Sequence, residues 1–378
     1  MSKRLFIYHY NPIELFPPVV NFLNFADVAL APEWQVNVYT TYPPDSVGLY
    51  HSGSRRIQII RLGNGFSKGK KWRNLISLMW FNLAGTFQLS LTRINALLYF
   101  ETSSALPTII GKLLLKKDFN LYIHYHEYMS PKDYARTRFQ SYIQSKELLL
   151  YSKAQWVSHT NQKRMEMFLN DIHQPLLKNS EIMPNYPPAE WITHKNPSLR
   201  SVDVIRFVFV GSVAEQGSYI REFLTWLAGL KRDYTFDIFT QSETESLRRI
   251  IRECNVKGVR IRGYVNNSNL PDVLSSYHVG LILYKGIELN VIYSAPNKLF
   301  EYLACGLDVW VDTAIEGVIP YYTDKVFPKV VPVSFSNLDE YNVEQLINRE
   351  GLSYLPFSES YEKEYKRLLD RISNVSGN

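Results

Sequence analysis

Short apolar strand-like runs alternate with helical patterns along this sequence, and the whole alternation occurs twice. The first series extends from residues 5–8 to residues 156–158, and the second begins at residues 206–210. A stretch rich in Pro, Asn and Ser at residues 178–200 separates the two series and is typical of a linker. Strands that alternate with helices favour parallel sheets with crossover helices. The pattern therefore predicts an α/β chain with two doubly wound, Rossmann-like domains.

The length of 378 residues exceeds what one ordinary hydrophobic core accommodates, which agrees with two domains. We place the N-terminal domain at residues 1–190 and the C-terminal domain at residues 200–357. Residues 358–378 contain a charged amphipathic helix, which we expect to pack back on the N-terminal domain. Ligands of open α/β sheets bind beyond the carboxyl ends of the strands, so we expect the two domains to face a central cleft.

Charge is unevenly distributed between the two halves of the chain. Residues 1–200 contain 23 Lys and Arg against 13 Asp and Glu, a net charge of +10, whereas the remainder has a net charge of −4. No acidic residue lies between Asp45 and Glu101. A basic half favours an anionic partner, such as a membrane surface or a phosphorylated acceptor, and a merely solvated basic face is the alternative. No nucleic-acid-binding module is recognisable, so nucleic acid is not an expected partner.

The largely apolar run at residues 75–91 follows a basic stretch at residues 68–73. It is shorter than the ~20 residues that a membrane-spanning helix needs, and it contains Asn82, Gly85 and Gln88. We expect a core helix of the first domain, with a helix that lies on a membrane surface as the alternative.

The cysteines and the first residues of the chain bear on its location. Cys254 and Cys305 have neither disulfide nor metal-binding spacing, as is typical of a reducing cytosol. Polar residues interrupt the start too early for a signal peptide. We therefore expect a cytoplasmic protein, with peripheral attachment to the inner face of the cytoplasmic membrane as an extension of this expectation.

The segment YSAPNKLFEYLACG, residues 293–306, predicts a short helix in the second domain. We expect Ser294 to cap this helix, Pro296 to lie in its first turn and Gly306 to end it. Its apolar residues share one face, and the outward face is expected to contain Lys298, Glu301, Tyr302 and Cys305.

The outward face of this helix could bind a nucleotide. Helix N-termini favour anions, and Lys298 adds a point charge suited to a phosphate. Glu301 could accept hydrogen bonds from two vicinal hydroxyls, as on a ribose. A solvated Lys–Glu pair is the alternative, and spacing alone favours it.

Two further turns at predicted strand ends are candidate ligand contacts. Gly211 ends a buried strand and opens a helix, but the turn matches neither a GxGxxG fingerprint nor a P-loop. Residues 263–265 follow a later strand, where backbone groups and the Tyr264 ring could hold a base.

The segments FVG, RGYV…LPDVLSSYHVGLILY and APNKLFEYLACGLDV together resemble the C-terminal domain of GT-B glycosyltransferases. The resemblance is strongest to the retaining family 4 of bacterial cell-surface polysaccharide synthesis, covers residues 204–312 and is most specific in PNKLFEYLACG. It implies a UDP- or GDP-type nucleotide-sugar donor and a glycan or lipid-linked acceptor. We expect no metal and no other cofactor, because no DxD pair is placed for a metal.

The resemblance also implies roles for individual residues. Glu301 matches the ribose ligand, residues 294–298 match the diphosphate loop, residues 263–265 match the base loop, and Gly211 matches a glycine near the phosphates and the acceptor. The expected donor-binding residues are Gly211, Ser212, Gly263, Tyr264, Val265, Lys285, Asn290, Ser294, Pro296, Asn297, Lys298 and Glu301.

The sequence departs from the family pattern at several of these places. Tyr293 stands where a second glutamate is common, so Asn290 is a substitute candidate for contacts to the donor sugar. Ser212 and Gln216 replace the usual Arg and Lys, so Lys298 and Lys285 would supply the charge. Asp308 replaces a usual proline.

In the first domain, the loop HYHEYMSP follows the predicted strand at residues 121–124. We expect His126 and Glu127 to be catalytic there, as a base or as hydrogen-bond partners of a sugar or acceptor hydroxyl. In the resembling family a histidine at a similar place contacts the donor hexose, which matches His126, whereas His124 is expected to pack within the strand. A structural role for His126 is the alternative. The acceptor-side candidates are His9, Tyr10 and Asn11.

Two other functions remain open at this point. A nucleotide-sugar epimerase of the same fold would share the second domain and would need no acceptor. A non-catalytic nucleotide-sugar-binding protein would explain why the second glutamate and the Arg and Lys are missing.

Overall fold

The computed structural model describes residues 2–65, 69–174, 177–193, 203–241 and 244–374. Contacts divide the chain into two compact units. One unit comprises the residues up to Pro184 together with those from Tyr361 onward, and the other comprises Asn185–Ser360. Part of the predicted linker, at residues 194–200, lies outside the described residues.

A parallel sheet of seven strands forms the centre of the first unit. The spatial order is β3-β2-β1-β4-β5-β6-β7, with β1 (Lys3–His9), β2 (Trp34–Tyr42), β3 (Ile57–Asn64), β4 (Ala96–Phe100), β5 (Asn120–Tyr125), β6 (Trp156–His159) and β7 (Ser180–Ile182). Every residue of β4 and β6 is buried, as expected for strands covered on both faces. The short polar strand β7 lies at the sheet edge, within the segment that the sequence predicts to be a linker, so that part of the linker prediction is wrong.

Helices connect these strands and cover both faces of the sheet. They are α1 (Pro17–Ala29), α2 (Lys71–Leu91), α3 (Leu106–Ile109), α4 (Pro131–Tyr134), α5 (Arg138–Tyr151) and α6 (Gln162–Asp171). Alternate residues of the central strands supply the two cores, with Phe6 and Tyr8 on one side and Leu5 and Ile7 on the other. No helix within the described part of the chain is long and apolar enough to cross a membrane.

The second unit repeats the arrangement around a six-stranded parallel sheet. The spatial order is β10-β9-β8-β11-β12-β14, and a separate strand pair joins β13 to β15. The strands are β8 (Ile205–Val210), β9 (Tyr234–Phe239), β10 (Val259–Arg262), β11 (Val279–Ile282), β12 (Asp308–Asp312), β13 (Val326–Phe327), β14 (Val330–Val333) and β15 (Ser353–Tyr354). The helices are α7 (Ile220–Gly229), α8 (Thr244–Glu253), α9 (Leu270–Leu274), α10 (Leu289–Ile292), α11 (Asn297–Ala304) and α12 (Val343–Ile347). The prediction of two doubly wound, Rossmann-like α/β units is confirmed.

The last helix, α13 (Tyr361–Ser373), belongs to the first unit. The Tyr365 ring packs edge-on against Phe22 of α1 with the ring centres 5.4 Å apart, and its hydroxyl donates to the carbonyl of Pro18. The hydroxyl of Tyr122 on β5 donates to the carbonyl of Arg371 at 3.0 Å. The chain therefore returns to the first unit after it has completed the second.

Candidate functional site

The predicted donor-binding residues lie at the carboxyl edge of the second sheet. Gly211 directly follows β8, Gly263 directly follows β10, and Lys285 lies three residues after the end of β11. Because all strands of this sheet are parallel, their carboxyl ends share one edge. The helix α11 begins at the same edge and leads back to β12.

Local sequence explains where α11 begins and ends. Pro296 is the N-cap residue, with extended backbone angles. The expectation that Ser294 caps the helix is wrong, because its hydroxyl donates to the carbonyl of Val291 at 2.7 Å. At the other end, Gly306 has a φ of +82° and its N–H bonds to the carbonyl of Leu303, while the next N–H bonds to that of Tyr302. This is a Schellman motif, and it needs a residue such as glycine in the left-handed region.

The outward face of α11 is narrower than the sequence predicts. Tyr302 and Cys305 are fully buried, so their placement on that face is wrong. Tyr302 lies three residues after the buried Leu299 and therefore points to the same side of the helix. Its ring fills the space beside Gly280 on β11, where an added Cβ would come within 2.3 Å of the ring. Its hydroxyl oxygen accepts a hydrogen bond from the N–H of Val210 at 3.0 Å.

Lys298 and Glu301 remain on the outward face and form an ion pair with each other. Their side chains are 21% and 12% exposed, so the pair is partly buried. The pairing itself is what the alternative of a solvated Lys–Glu pair predicts, but the two side chains are largely shielded from solvent rather than solvated. A ligand would have to compete with this contact.

The residues that surround Glu301 connect it to the β8 turn. Burial, and then the negative charge of Glu301, raises the pKa of Tyr284. A Cβ built at Gly211 would lie 3.7 Å from the hydroxyl oxygen of Tyr284. Gly211 itself has a φ of +154°, a backbone conformation that residues with a side chain rarely adopt. The fold thus brings Gly211, Tyr284 and Glu301 into one neighbourhood.

Lys285 is already engaged within the second unit. Its ammonium group lies 2.7 Å from a carboxylate oxygen of Glu222 and 5.1 Å from the ring centre of Tyr219. A role in binding a diphosphate would require the ligand to share or replace the contact with Glu222.

Two loops of the second unit hold the other predicted donor contacts. Tyr264 is 63% exposed and Val265 packs against the apolar core. Apart from Gly263 and its two chain neighbours, no atom of the described residues lies within 4 Å of the place where a Cβ would be at Gly263. Asn290 lies on the short helix α10 and is partly exposed. The loop that leads from α10 to α11 lies close against Gly317, where an added Cβ would be only 2.3 Å from the carbonyl oxygen of Ser294.

In the first unit, His126 and Glu127 follow β5 at the carboxyl edge of the sheet. The His126 side chain is largely buried, and its ring stacks on Phe100 with 5.2 Å between the ring centres. Its carbonyl accepts a hydrogen bond from the guanidinium of Arg164. Glu127 is exposed to solvent. Of the two predicted catalytic residues, only Glu127 has an openly accessible side chain.

Sequence reasoning missed Glu101, which follows β4 at the same edge. Its carboxylate accepts hydrogen bonds from the backbone N–H groups of His126 at 2.7 Å and Glu127 at 3.3 Å. Burial, and then the charge of Glu127, raises the pKa of Glu101 to about 8. Its φ of +62° is uncommon for a residue other than glycine, and such strain is often found at functional sites. The available signal in the sequence was its position, immediately after an apolar strand.

The predicted acceptor-side residues form part of the framework of the first unit. His9 is buried, and one of its ring nitrogens bonds to the carbonyl of Asn11 at 2.6 Å. The backbone N–H of Tyr10 donates to the hydroxyl of Ser104, and its own hydroxyl donates to the carbonyl of Asn74. Burial lowers the pKa of His9 to about 4, so this imidazole is neutral at physiological pH. The ring of His126 lies 6.5 Å from that of His9, which places both near the same sheet edge.

His124 packs within β5, as expected. It is fully buried, and a ring nitrogen lies 2.8 Å from the hydroxyl oxygen of Ser158. No group of His, Cys, Asp or Glu in the described part of the chain is arranged to hold a metal ion. A cavity of about 840 Å³ near Phe327 and Tyr354 contains none of the predicted site residues.

The same two-sheet architecture is found in known proteins. The apo form of the lipopolysaccharide outer core galactosyltransferase WaaB aligns with 99% of this chain and 96% of its own, at a TM-score of 0.63 and 12% identity. Sucrose-phosphate synthase from Thermosynechococcus elongatus aligns with 99% of this chain and 95% of its own, at a TM-score of 0.64 and 13% identity. Anabaena HepE in complex with UDP and glucose aligns with 99% of this chain and 96% of its own, at a TM-score of 0.60 and 10% identity. The chain therefore has the GT-B fold.

The fold alone does not decide the reaction. A putative UDP-N-acetylglucosamine 2-epimerase from Listeria monocytogenes aligns with 98% of this chain and 96% of its own, at a TM-score of 0.56 and 10% identity. No protein-family model and no curated protein matches the sequence.

Proposed function

We propose that this protein is a glycosyltransferase that moves a sugar from a UDP- or GDP-type nucleotide-sugar to a glycan or lipid-linked acceptor. We place the reaction in bacterial cell-surface polysaccharide synthesis, in the cytoplasm at the inner face of the cytoplasmic membrane, with retention of configuration. The observation that carries this proposal is the neighbourhood of Gly211, Tyr284 and Glu301 beside the start of α11. The GT-B proteins with similar structures, which include one bound to UDP and glucose, support it.

In this proposal the second unit binds the nucleotide. The carboxylate of Glu301 accepts hydrogen bonds from the ribose hydroxyls, and the ammonium of Lys298 turns from Glu301 toward the diphosphate. Residues 263–265 hold the base, and residues 294–297 approach the phosphates. As the bond to the sugar breaks, negative charge grows on the leaving diphosphate, and fixed positive charge stabilises it. This chemistry requires no metal ion.

The first unit orients the sugar and the acceptor. His126, held by its stacking on Phe100, is proposed to hydrogen-bond the sugar, and the accessible Glu127 to interact with an acceptor hydroxyl. Glu101 accepts hydrogen bonds from the backbone of both residues and thereby positions them. His9, Tyr10 and Asn11 shape the acceptor side of this edge.

A thermal-shift panel of nucleotides and nucleotide-sugars tests the nucleotide site. A nucleoside diphosphate or its sugar should raise the melting temperature of the parent protein, because ligands that bind only the folded state stabilise it. Glu301→Ala should weaken that binding about 10- to 100-fold, as expected for hydrogen bonds to a charged group of about 1.5–3 kcal/mol. The matched control is Glu245→Ala, which removes an exposed carboxylate from α8. If Glu301→Ala binds every nucleotide as tightly as the control does, the ribose role is wrong.

The epimerase alternative is separated from the transferase by the need for an acceptor. An epimerase would convert the identified donor alone, whereas a transferase should consume it at a substantial rate only when a lipid or glycan extract is added. A protein that binds the donor but gives no product in either assay would be a non-catalytic binder.

A further inference from the structure

The helix α2 exposes a long apolar face to solvent. This α2 apolar face consists of Trp72, Ile76, Met79, Trp80, Leu83 and Phe87. At 100° per residue, these side chains fall within an arc of about 100°. Their exposed fractions range from 46% for Met79 to 79% for Trp72, and Leu91 extends the face to the last residue of the helix. An exposed apolar surface of this extent is typical of an interaction site.

The opposite face of α2 is packed firmly onto the first sheet. Phe81 and Leu89 are fully buried there. The hydroxyl of Tyr8 on β1 donates to the carbonyl of Gly85 at 2.8 Å, and a Cβ at Gly85 would come within 2.8 Å of the Tyr8 ring. The helix is therefore anchored to the unit by one face, while the described part of the chain leaves the other face exposed.

The chain segment that contains α2 carries only positive charge. No acidic residue lies between Asp45 and Glu101, a segment that includes the whole helix and both of its flanks. Lys70 and Arg73 are exposed at its start, and Arg93 is exposed just after its end. Near that end, Lys117 donates to the carbonyls of Leu89 and Thr92, which places the exposed Leu114 and Leu115 on a segment beside the helix.

We propose that the α2 apolar face inserts into the surface of an anionic lipid membrane, with the helix axis parallel to the membrane plane. Amphipathic helices with aromatic and aliphatic residues on one side and Lys or Arg nearby bind membranes in this way. The two tryptophans suit the boundary between headgroups and acyl chains. This inference does not rest on the proposed transferase activity, because lipid binding is measured without a donor or an acceptor.

The charge pattern favours lipid over a second copy of the chain as the occupant of this face. If two copies paired through α2, a parallel arrangement would bring Arg73 near Arg73, and an antiparallel one would bring Arg73 near Arg93. Either arrangement would place like charges together without an acidic residue on the helix to compensate. The headgroups of anionic lipids supply the missing negative charge.

The test uses the full chain and vesicles of phosphatidylcholine with or without phosphatidylglycerol, in a co-sedimentation assay. The parent should bind the vesicles that contain phosphatidylglycerol. Leu83→Ser together with Phe87→Ser should weaken this binding at least about tenfold. Arg73→Gln and Arg93→Gln should each weaken it about fivefold on anionic vesicles. The matched control is Leu149→Ser, which changes an exposed leucine on α5 and should bind like the parent.

Fluorescence provides a second measurement that locates the contact. Trp72 and Trp80 are exposed, whereas the other five of the seven tryptophans are at most 9% exposed. Vesicles with brominated acyl chains should therefore quench a part of the emission that disappears in the variant with Trp72→Phe and Trp80→Phe. Circular dichroism checks that every variant is folded.

Two results would overturn the proposal. One is a parent protein that does not bind anionic vesicles or whose binding is unchanged by the Leu83 and Phe87 substitutions. The other is a dimer, seen by sedimentation velocity, that these substitutions dissociate while vesicle binding stays absent, which would assign the face to self-association.

Discussion

Asp308 offers a sharp test of how the second sheet is held together. Asp308 is the first residue of β12 and is only 2% exposed. One carboxylate oxygen accepts the N–H of Lys329 at 2.6 Å, and the other lies 2.9 Å from Nε of Arg349. The Arg349 side chain is 10% exposed and its guanidinium lies over the ring of Phe327.

We expect Asp308→Ala to destabilise the protein by about 3–5 kcal/mol, which is the usual cost of leaving one charge of a buried ion pair without its partner. The backbone N–H of Lys329 would lose its acceptor as well, but the two effects overlap and should not be added. A loss of this size is a large part of the 5–15 kcal/mol by which a typical protein is stable. A further substitution of Arg349→Leu should recover part of the loss, because it removes the uncompensated charge.

Urea unfolding measures this loss, and hydrogen exchange of β12 and β14 assigns it to the second unit. The control is Asp370→Ala, which removes an exposed ion pair with Lys366 and should cost less than about 1 kcal/mol. If Asp308→Ala costs no more than this control, the buried pair does not stabilise the sheet and the reasoning fails.

Three further substitutions test the site and its surroundings. Gly263→Ala should leave the melting temperature unchanged, since no atom of the described residues other than its chain neighbours lies within 4 Å of the added Cβ. It should weaken nucleotide binding about tenfold in calorimetry, and equal affinity would remove residue 263 from the base site. Gly280→Ala should cost at least about 1–3 kcal/mol in urea unfolding, because its Cβ would come within 2.3 Å of the Tyr302 ring, and an unchanged midpoint would contradict that packing. A carboxyl group with a raised pKa stabilises the fold only while it is protonated, so the free energy of unfolding should fall as the pH rises above 4.5 and through about 8. Glu101→Gln should flatten that pH dependence, and a variant with the same slope as the parent would show that another group is responsible.

The strands and the fold class were predictable because they depend on local pattern. The run ALLYF at residues 96–100 is apolar and bounded by polar residues, and β4 has these same limits. Strands β7 and β14 were not predicted: β7 is short and polar at a sheet edge, and β14 contains Pro332. β7 lacks the apolar or alternating pattern that marks a strand, and the apolar run of β14 is interrupted by a proline, which argues against a strand within a sheet.

At the candidate site, position along the chain was predictable, but contacts were not. That residues 211, 263 and 301 lie at one edge follows from parallel strand order, which the alternation of elements indicates. The burial of Tyr302 depends on Gly280, which lies 22 positions earlier and provides space for the ring. The position of Glu101 after an apolar strand was visible in the sequence, but its hydrogen bonds were not, because the N–H groups that it accepts from are on the next strand's loop.

The sequence by itself determined that the chain forms two parallel α/β units, that the apolar run at residues 75–91 after the basic stretch at residues 68–73 forms a helix, and that Lys298 and Glu301 share a helix face. These properties depend on the periodicity of apolar and polar residues within a single strand or helix, so they can be read from a short stretch of the sequence. Only the tertiary structure decided which side of α2 is covered and which groups meet Asp308, Tyr302 and Glu101. Those outcomes depend on contacts between residues that are far apart in the chain. In α2, for example, apolar residues occur on both sides of the helix, and only the side that packs on the sheet is buried.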